Sequence, residues 1–247
     1  MDTQPPKISA SLMCADLCNV ERDVRALEQA GVDWLHFDIM DGRFVPNITL
    51  GPDFVRAVRA ISDLPLDVHL MVEEPERYLP QFLDAGSDIL AIHVEATRHL
   101  RRMLQLIREG GARPALCLNP ATPLDAIEYA ADLIDMLVVM TVDPGFAGQK
   151  LIRSTLPKIA AAREFVRSRG PSATDVVGAT RRVAPTGAET TEMEIQVDGN
   201  VSFEHAPEMV AQGATVLVAG SSSVFREGLS IEEGVERLRA AVATQER

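Results

Sequence analysis

The sequence alternates regularly between short apolar runs and longer amphipathic stretches, and this alternation constrains the fold more than any other feature. The short runs are rich in Val, Ile, Leu and Met and predict β-strands. The stretches between them place apolar residues at helical spacing, as in Val20, Val24, Leu27 and Ala30. The predicted strands are residues 7–13, 34–40, 64–72, 89–95, 113–119, 136–142, 194–199 and 215–221.

Strict alternation of strands and helices is typical of parallel strands joined by right-handed crossovers. Eight such units within 247 residues predict an α/β fold, a single (β/α)8 TIM barrel with eight parallel strands. An open doubly wound sheet is the alternative, but the G-x-G-x-x-G pattern of such sheets does not follow the first strand. Gly31, Gly86 and Gly213 follow predicted helices, where glycine suits the left-handed conformation that ends a helix. Because no linker divides the chain, residues 1–247 are predicted to form one domain.

Residues 171–191 interrupt this pattern between the helix that ends near Gly170 and the strand that begins at Glu194. The segment is small, polar and without periodicity, and it is far longer than an ordinary connection from a helix to a strand. We interpret it as a long flexible αβ loop. The topology of a barrel would place such a loop at the N-terminal face, away from the chemistry.

Composition and charge exclude several classes of protein. Hydrophobic residues make up 46% of the chain and charged residues 24%, a balance typical of a folded globular protein rather than a disordered one. The formal charge of −12 argues against nucleic-acid binding. No uncharged apolar run is long enough to cross a bilayer, and the first ten residues lack the layout of a signal peptide. We therefore expect a cytoplasmic protein with no membrane and no nucleic-acid partner.

Polar side chains lie towards the carboxyl ends of three predicted strands, the end at which TIM barrels carry their active sites. His36 and Asp38 share one face of the second strand, because side chains two residues apart point the same way. His69 lies on the third strand with Asp67 further down, and Asp198 ends the seventh. Two imidazoles and two carboxylates at one mouth predict a site for one divalent metal. This ligand set suits Zn, Fe, Mn or Co better than Mg or Ca.

The remaining histidines and the cysteines give weaker signals. His93 ends the fourth strand between apolar neighbours and is compatible with either a ligand or a packed core residue. We interpret His99 and His205 as surface residues of helices. Cys14 and Cys18 lack a second cysteine pair or a nearby His that would complete a zinc site, and we interpret them as small packing residues.

Loops after three predicted strands are rich in glycine and small polar residues. Glycine lets backbone amides approach an anion closely, and the loops after strands seven and eight of a barrel often hold phosphate. We therefore expect an anionic substrate. The residues concerned are Gly145 and Gly148 after the sixth strand, Gly199 and Asn200 after the seventh, and Gly220 and Ser221 after the eighth.

Four methionines, Met13, Met40, Met71 and Met140, also end predicted strands. One interpretation is that they fill the top of the barrel as core residues. The other is that they form a soft apolar cover over the reacting carbon and keep water from an enolate.

Several stretches together resemble the ribulose-phosphate 3-epimerase family, from about residue 8 to residue 225. They are SLMCADL, HFDIMDGRFVPN, DVHLMV, LNPATP, VDPGFAGQK and VDGN. The resemblance implies a (β/α)8 barrel, a divalent metal and epimerisation at C3 of a ketose phosphate, with D-ribulose 5-phosphate and D-xylulose 5-phosphate interconverted through a 2,3-enediolate.

The resemblance also implies roles for individual residues. The metal ligands would be His36, Asp38, His69 and Asp198, and the two carboxylates would also be the acid and base. Ser11 would contact the substrate near the metal. The substrate would further meet Met40, Met71, Met140, Gly145, Gly148, Gly199, Asn200, Gly220 and Ser221.

Two positions depart from the usual pattern of the family. Asn200 stands where a glycine is usual, and Ala147 stands where a glycine is frequent. Both features look more like the allulose-6-phosphate 3-epimerase branch, so conversion of D-allulose 6-phosphate to D-fructose 6-phosphate remains open. Barrels of this kind often associate, and we expect a homo-oligomer.

Two other functions compete with an epimerase. A lyase or decarboxylase on a phosphate-binding barrel would be expected to place a Lys among the strand-end carboxylates, whereas Lys150 lies out in a loop. A non-catalytic sugar-phosphate binding protein would have no use for paired carboxylates at a metal. Both alternatives explain the strand-end residues less well.

Overall fold

The computed structural model describes residues 4–168 and 193–243, in which eight parallel strands close into a barrel in chain order. The predicted (β/α)8 TIM barrel is confirmed. Each strand lies within its predicted run, and most are shorter at one or both ends. The strands are β1 (Lys7–Ser11), β2 (Trp34–Met40), β3 (Leu66–Met71), β4 (Ile89–His93), β5 (Arg113–Leu118), β6 (Met136–Met140), β7 (Glu194–Asp198) and β8 (Val216–Ala219).

Helices of the described residues surround this barrel. Gly31, Gly86 and Gly213 have φ angles of 75°, 96° and 116° just beyond three of the helices, which confirms the predicted left-handed caps. The α-helices are α1 (Val20–Ala30), α2 (Pro52–Arg59), α3 (Leu79–Asp84), α4 (Leu100–Glu109), α5 (Leu156–Ser168), α6 (Ala206–Gln212) and α7 (Ile231–Ala243).

The connection between β5 and β6 differs from the predicted alternation. It contains two 3-10 turns, Leu124–Ile127 and Ala131–Leu133, and no α-helix in this fully described segment. Pro120 and Pro123 disfavour the helical conformation in the residues that precede them. The short segment that remains before β6 is therefore filled by two tight turns.

The barrel wall separates two apolar regions. Phe37 and Ile39 of β2 point outward and belong to the larger core between the strands and the helices. Trp34 and Met136 belong to a second cluster inside the barrel. The interior is thus a packed floor, and the site residues lie above it.

The register of the strands places the predicted site residues beside one another. Asp38 of β2 pairs with His69 of β3, and Met40 pairs with Met71. On the other side of the barrel, Met140 of β6 pairs with Asp198 of β7. Polar and methionine side chains from several strands therefore meet at the carboxyl ends.

The αβ loop predicted at 171–191 lies outside the described residues. The loop and the extent of the single domain over 1–247 therefore stay predictions. Among the helices that the structure describes, none is long and apolar enough to span a membrane.

Candidate active site

A cavity opens at the carboxyl ends of the strands, and every residue predicted to contact a substrate lines it. Asp38 and Asp198 also line it, whereas His36 and His69 do not reach its surface and are fully buried. The predicted substrate-contacting residues on its wall are Ser11, Met40, Met71, Met140, Gly145, Gly148, Gly199, Asn200, Gly220 and Ser221.

The four predicted metal ligands form one compact cluster. One donor atom from each of His36, Asp38, His69 and Asp198 lies within 4.8 Å of all the others. His36 Nε2 is 3.4 Å from Asp38 Oδ1, and His69 Nδ1 is 3.3 Å from Asp198 Oδ2. The cross-distances are 4.0 Å from His36 Nε2 to Asp198 Oδ2 and 3.8 Å from His69 Nδ1 to Asp38 Oδ1.

Two nitrogen atoms of this cluster are buried without a hydrogen-bond partner: His36 Nε2 and His69 Nδ1. Buried polar atoms are normally paired, so two such atoms aimed at two carboxylates require an explanation. A divalent cation bound by two imidazole nitrogens and two carboxylate oxygens supplies one, since this is a donor set that zinc and similar metals accept. The residues present therefore fit a metal ion.

Asp67 supports His36 from below. Its Oδ2 atom accepts hydrogen bonds from His36 Nδ1 at 2.7 Å, from the Ser9 hydroxyl at 2.8 Å and from Gln196 Nε2 at 2.6 Å. A carboxylate in this position fixes the tautomer of the imidazole and leaves Nε2 as the donor to a metal. Asp67 lies two residues before His69 on β3, so the two side chains share a face of that strand. The residues two before Ser11 and Asp198 are Ser9 and Gln196, so the same alternation could have identified this layer.

The charges of the cluster shift its pKa values. Burial alone would favour the neutral form of Asp38, but the positive charge of His36 and His69 and a hydrogen bond from Ser11 outweigh it and lower the pKa of Asp38 to about 2. The Ser11 hydroxyl donates to Asp38 Oδ2 at 2.6 Å. Burial alone would lower the pKa of His36, but the carboxylates of Asp67 and Asp38 raise it well above 6.5.

His93, whose role the sequence left open, is fully buried at the end of β4 and lies against His69. The two Nε2 atoms are 2.8 Å apart. Burial is the main cause that lowers the pKa of His93 to about 4, so its ring is neutral at pH 7. His99 is exposed at the start of α4, as expected.

The loop after β7 is tightly constrained. A Cβ atom at Gly199 would lie 2.6 Å from Val142 Cγ2 and 2.8 Å from the backbone N of Val142, and φ is 118°, so only glycine fits. Asn200 has φ of 48° and donates from Nδ2 to the carbonyl oxygen of Gln149 at 2.6 Å. His205 is partly exposed just before α6, and its Nδ1 lies 2.8 Å from Asn200 Oδ1, a contact that the surface interpretation did not predict.

The methionines at the strand ends are buried and also line the cavity. Met40, Met71 and Met140 are at most 4% exposed and border the cavity, and Met13 packs beside them. The two interpretations of these residues are therefore compatible. Cys14 also lines the cavity, where a Cβ atom at Gly220 would approach its Sγ to 3.1 Å, while Cys18 is exposed.

Comparison with known proteins agrees with this geometry. The sequence model of the Ribulose-phosphate 3 epimerase family matches residues 7–225. A ribulose-phosphate 3-epimerase from Bacillus subtilis (strain 168) is 44% identical over 216 residues, which are 87% of this chain and 91% of that protein. A chloroplastic ribulose-5-phosphate-3-epimerase from Arabidopsis thaliana is 43% identical over 217 residues, which are 87% of this chain and 70% of that protein.

A solved structure extends the comparison to the fold. The 3-hexulose-6-phosphate synthase of Salmonella typhimurium superposes with a TM-score of 0.62 over 97% of this chain and 99% of that chain. Its sequence identity is 14%, so this likeness concerns the barrel alone. The family match, in contrast, spans all eight strands and every residue of the cluster. The chain belongs to the ribulose-phosphate 3-epimerase family.

Proposed function

We propose that this protein is a metal-dependent 3-epimerase that interconverts D-ribulose 5-phosphate and D-xylulose 5-phosphate. The names of the curated relatives support the five-carbon substrate. The observation that carries the metal dependence is the pair of buried, unpartnered nitrogens, His36 Nε2 and His69 Nδ1, which face two carboxylates.

His36, Asp38, His69 and Asp198 would hold the cation. Zn, Fe, Mn and Co all accept this mixture of nitrogen and oxygen ligands. When bound, the metal supplies Lewis-acid stabilisation of the negative charge that develops on the substrate oxygens at C2 and C3.

Asp38 and Asp198 act as the base and the acid in this proposal. Inversion at C3 requires that one group remove the proton from one face of the substrate and that another deliver a proton to the opposite face. Asp38 is ionised at pH 7, because its neighbours lower the pKa of the carboxyl group to about 2, and the carboxylate is the protonation state that a base requires. The hydrogen bond from Ser11 holds the orientation of the Asp38 carboxylate.

The methionine wall excludes water from the intermediate. Met40, Met71 and Met140 present apolar thioether side chains to the same cavity that Asp38 and Asp198 line. An enediolate exposed to water would be protonated without stereochemical control. We propose that these side chains limit protonation to the two carboxylates.

The phosphate of the substrate would lie among the loops after β6, β7 and β8, against Gly145, Gly148, Gly199, Gly220 and Ser221. Among the described residues that line the cavity, none is Lys or Arg. Backbone amides and hydroxyl groups would therefore bind the phosphate, as they do at other glycine-rich anion sites. The same absence of Lys from the described lining disfavours a lyase that forms a Schiff base.

The test is conversion of D-ribulose 5-phosphate followed by NMR, with D-allulose 6-phosphate assayed in parallel because Asn200 and Ala147 leave a six-carbon substrate open. We expect Asp38→Asn and Asp198→Asn each to lower kcat beyond the ~10²–10⁴-fold of an acid–base residue, because each also removes a metal ligand. Asp84→Asn is the matched control, since Asp84 is exposed at the end of α3. A rate near that of the wild type in either site variant would contradict the assignment.

A cytoplasmic location and a homo-oligomeric state complete the proposal. Sedimentation velocity would give the number of subunits, and a monomer at micromolar concentration would contradict the expectation.

A further inference from the structure

A chain of hydrogen bonds runs from the ring of His69 towards the rim of the barrel. His69 Nε2 lies 2.8 Å from His93 Nε2, and His93 Nδ1 lies 3.2 Å from Glu95 Oε2. Glu95 Oε1 accepts hydrogen bonds from the backbone N–H of Asn119 at 3.0 Å and from the Thr122 hydroxyl. The proposed epimerisation assigns no role to His93 or Glu95, although His93 is fully buried beside a proposed ligand.

The ring geometry indicates an in-line hydrogen bond between the two imidazoles. Their planes differ by 26° and their centroids are 5.0 Å apart. The two Nε2 atoms are much closer to each other than the centroids are, so they lie between the rings rather than above them. This is the geometry of one N–H···N hydrogen bond along the line that joins these nitrogens.

A second metal site does not explain this contact. His69, His93 and Cys117 do offer donor atoms within 4.8 Å of one another. However, two nitrogens bound to one tetrahedral zinc ion at about 2.0–2.1 Å each are about 3.3 Å apart. The observed 2.8 Å is the spacing of a hydrogen bond.

The number of protons on each imidazole ring determines which nitrogen donates and which accepts each hydrogen bond between His69 and Glu95. A neutral imidazole carries one N–H group and one lone pair. Nδ1 is the nitrogen of His69 that is buried without a partner and faces Asp198. If His69 Nδ1 binds a cation, His69 Nε2 must carry the proton, and this N–H group donates a hydrogen bond to His93 Nε2. His93 then carries its proton on Nδ1, and that N–H group donates a hydrogen bond to Glu95.

We propose that His93, itself held by Glu95, is a positioning residue that keeps His69 in the tautomer whose Nδ1 lone pair points into the metal cluster. This inference rests on the proposed function, because it requires a cation at the cluster. His36 receives the corresponding support directly from Asp67, so the two imidazole ligands are held by different groups. Hydrogen bonds behind a metal ligand contribute about 10–100-fold to metal affinity.

The first test observes the tautomers by long-range ¹H–¹⁵N NMR of the zinc-loaded wild-type protein. The chain has only five histidines, so a His93→Gln spectrum and a His99→Gln spectrum suffice to begin the assignment. We expect His69 to carry its proton on Nε2 and His93 on Nδ1. The opposite tautomer on either ring would overturn the inference, whatever the activity of the enzyme.

The second test compares two variants in their affinity for Co²⁺, measured by competition with a chelator, and in the visible spectrum of the bound ion. His93→Leu removes the acceptor, and we expect 10–100-fold weaker binding and a shifted spectrum. His93→Gln places an amide oxygen near the position of Nε2, and we expect it to restore the affinity to within about threefold and the spectrum of the wild type. If His93 only filled space in the core, His93→Gln would not restore the wild-type spectrum any better than His93→Leu does.

Three further outcomes separate this inference from the proposed function. Wild-type affinity and spectrum in His93→Leu would overturn the positioning role while leaving the metal site in place. Equal loss in His93→Leu and His93→Gln would also overturn it, because the acceptor would then be irrelevant. Failure of the wild-type protein to bind Co²⁺ would overturn the proposed metal dependence itself. His99→Leu, at an exposed position, serves as the control and is expected to bind like the wild type.

Discussion

Replacement of Asp67 by Asn tests the support beneath the cluster. The Oδ2 atom of Asp67 accepts three hydrogen bonds, from His36, Ser9 and Gln196, in a fully buried position. An asparagine oxygen can occupy the same place and accept the same bonds, but it carries no charge. A hydrogen bond to a charged group is worth about 1.5–3 kcal/mol and a neutral one about 0.5–1.5 kcal/mol. Each of the three bonds therefore loses about 1 kcal/mol when its acceptor becomes neutral. The sum predicts that Asp67→Asn lowers the free energy of unfolding by about 3 kcal/mol.

The same replacement should weaken metal binding. With a neutral amide oxygen in place of the carboxylate, His36 Nδ1 keeps only a weaker acceptor and Nε2 becomes a poorer donor to the metal, which predicts about 10–100-fold lower affinity for Co²⁺. Urea unfolding of the metal-free protein gives the first quantity, and competition with a chelator gives the second. Asp84→Asn, which makes the same chemical change at an exposed position, should alter neither. If Asp67→Asn matches the wild type in both measurements, the proposed role of the buried carboxylate is refuted.

Three further predictions follow from individual positions. Gly199→Ala should lower the free energy of unfolding by about 2–6 kcal/mol through strain at positive φ plus overlap, as urea unfolding would show. Gly228→Ala, at φ of 84° with open space around it, should cost clearly less, and equal losses would contradict the overlap. The pKa of His36 is raised well above 6.5, so a cation must displace a proton from this ring. The apparent affinity for Co²⁺ should therefore rise between pH 6 and pH 8, by up to about tenfold per pH unit. An affinity that does not change with pH would contradict this prediction. Burial opposes ionisation of Glu95, but several hydrogen bonds favour it, the strongest of them from His93. Together they lower the pKa of Glu95 from 4.5 to about 2. Its contribution to stability is therefore present above pH 4.5 and is lost as the pH falls towards 2, so Glu95→Gln should be less stable than the wild type at pH 6 and the difference should shrink below pH 4.

Periodicity predicted the barrel and the centre of its site. Strand alternation alone placed His36 and Asp38 on one inward face, and the position of active sites in barrels placed His69 and Asp198 at the same mouth. These predictions depend on local geometry, which a single strand determines. The structure brings the four residues together in one cluster.

Contacts between strands could not be predicted in the same way. The hydrogen bond between His69 and His93 depends on the register of β3 with β4, and the approach of Cys14 to Gly220 depends on how the barrel closes between β1 and β8. The link between Asn200 and His205 depends on a loop with positive φ. The sequence pattern does not specify the register between strands or the contacts across the seam between β1 and β8, so His93 stayed ambiguous and the contact of His205 with Asn200 was not predicted.

Exchange of the C3 proton in deuterated water tests the central claim most directly. Metal-loaded protein would be given D-ribulose 5-phosphate and D-allulose 6-phosphate in separate samples, and deuterium at C3 followed by NMR. We predict exchange with inversion for D-ribulose 5-phosphate, slower exchange for D-allulose 6-phosphate, and no exchange of either substrate in Asp38→Asn. Tight binding of both sugar phosphates without exchange at C3 would contradict the account and indicate a binding protein instead of an epimerase.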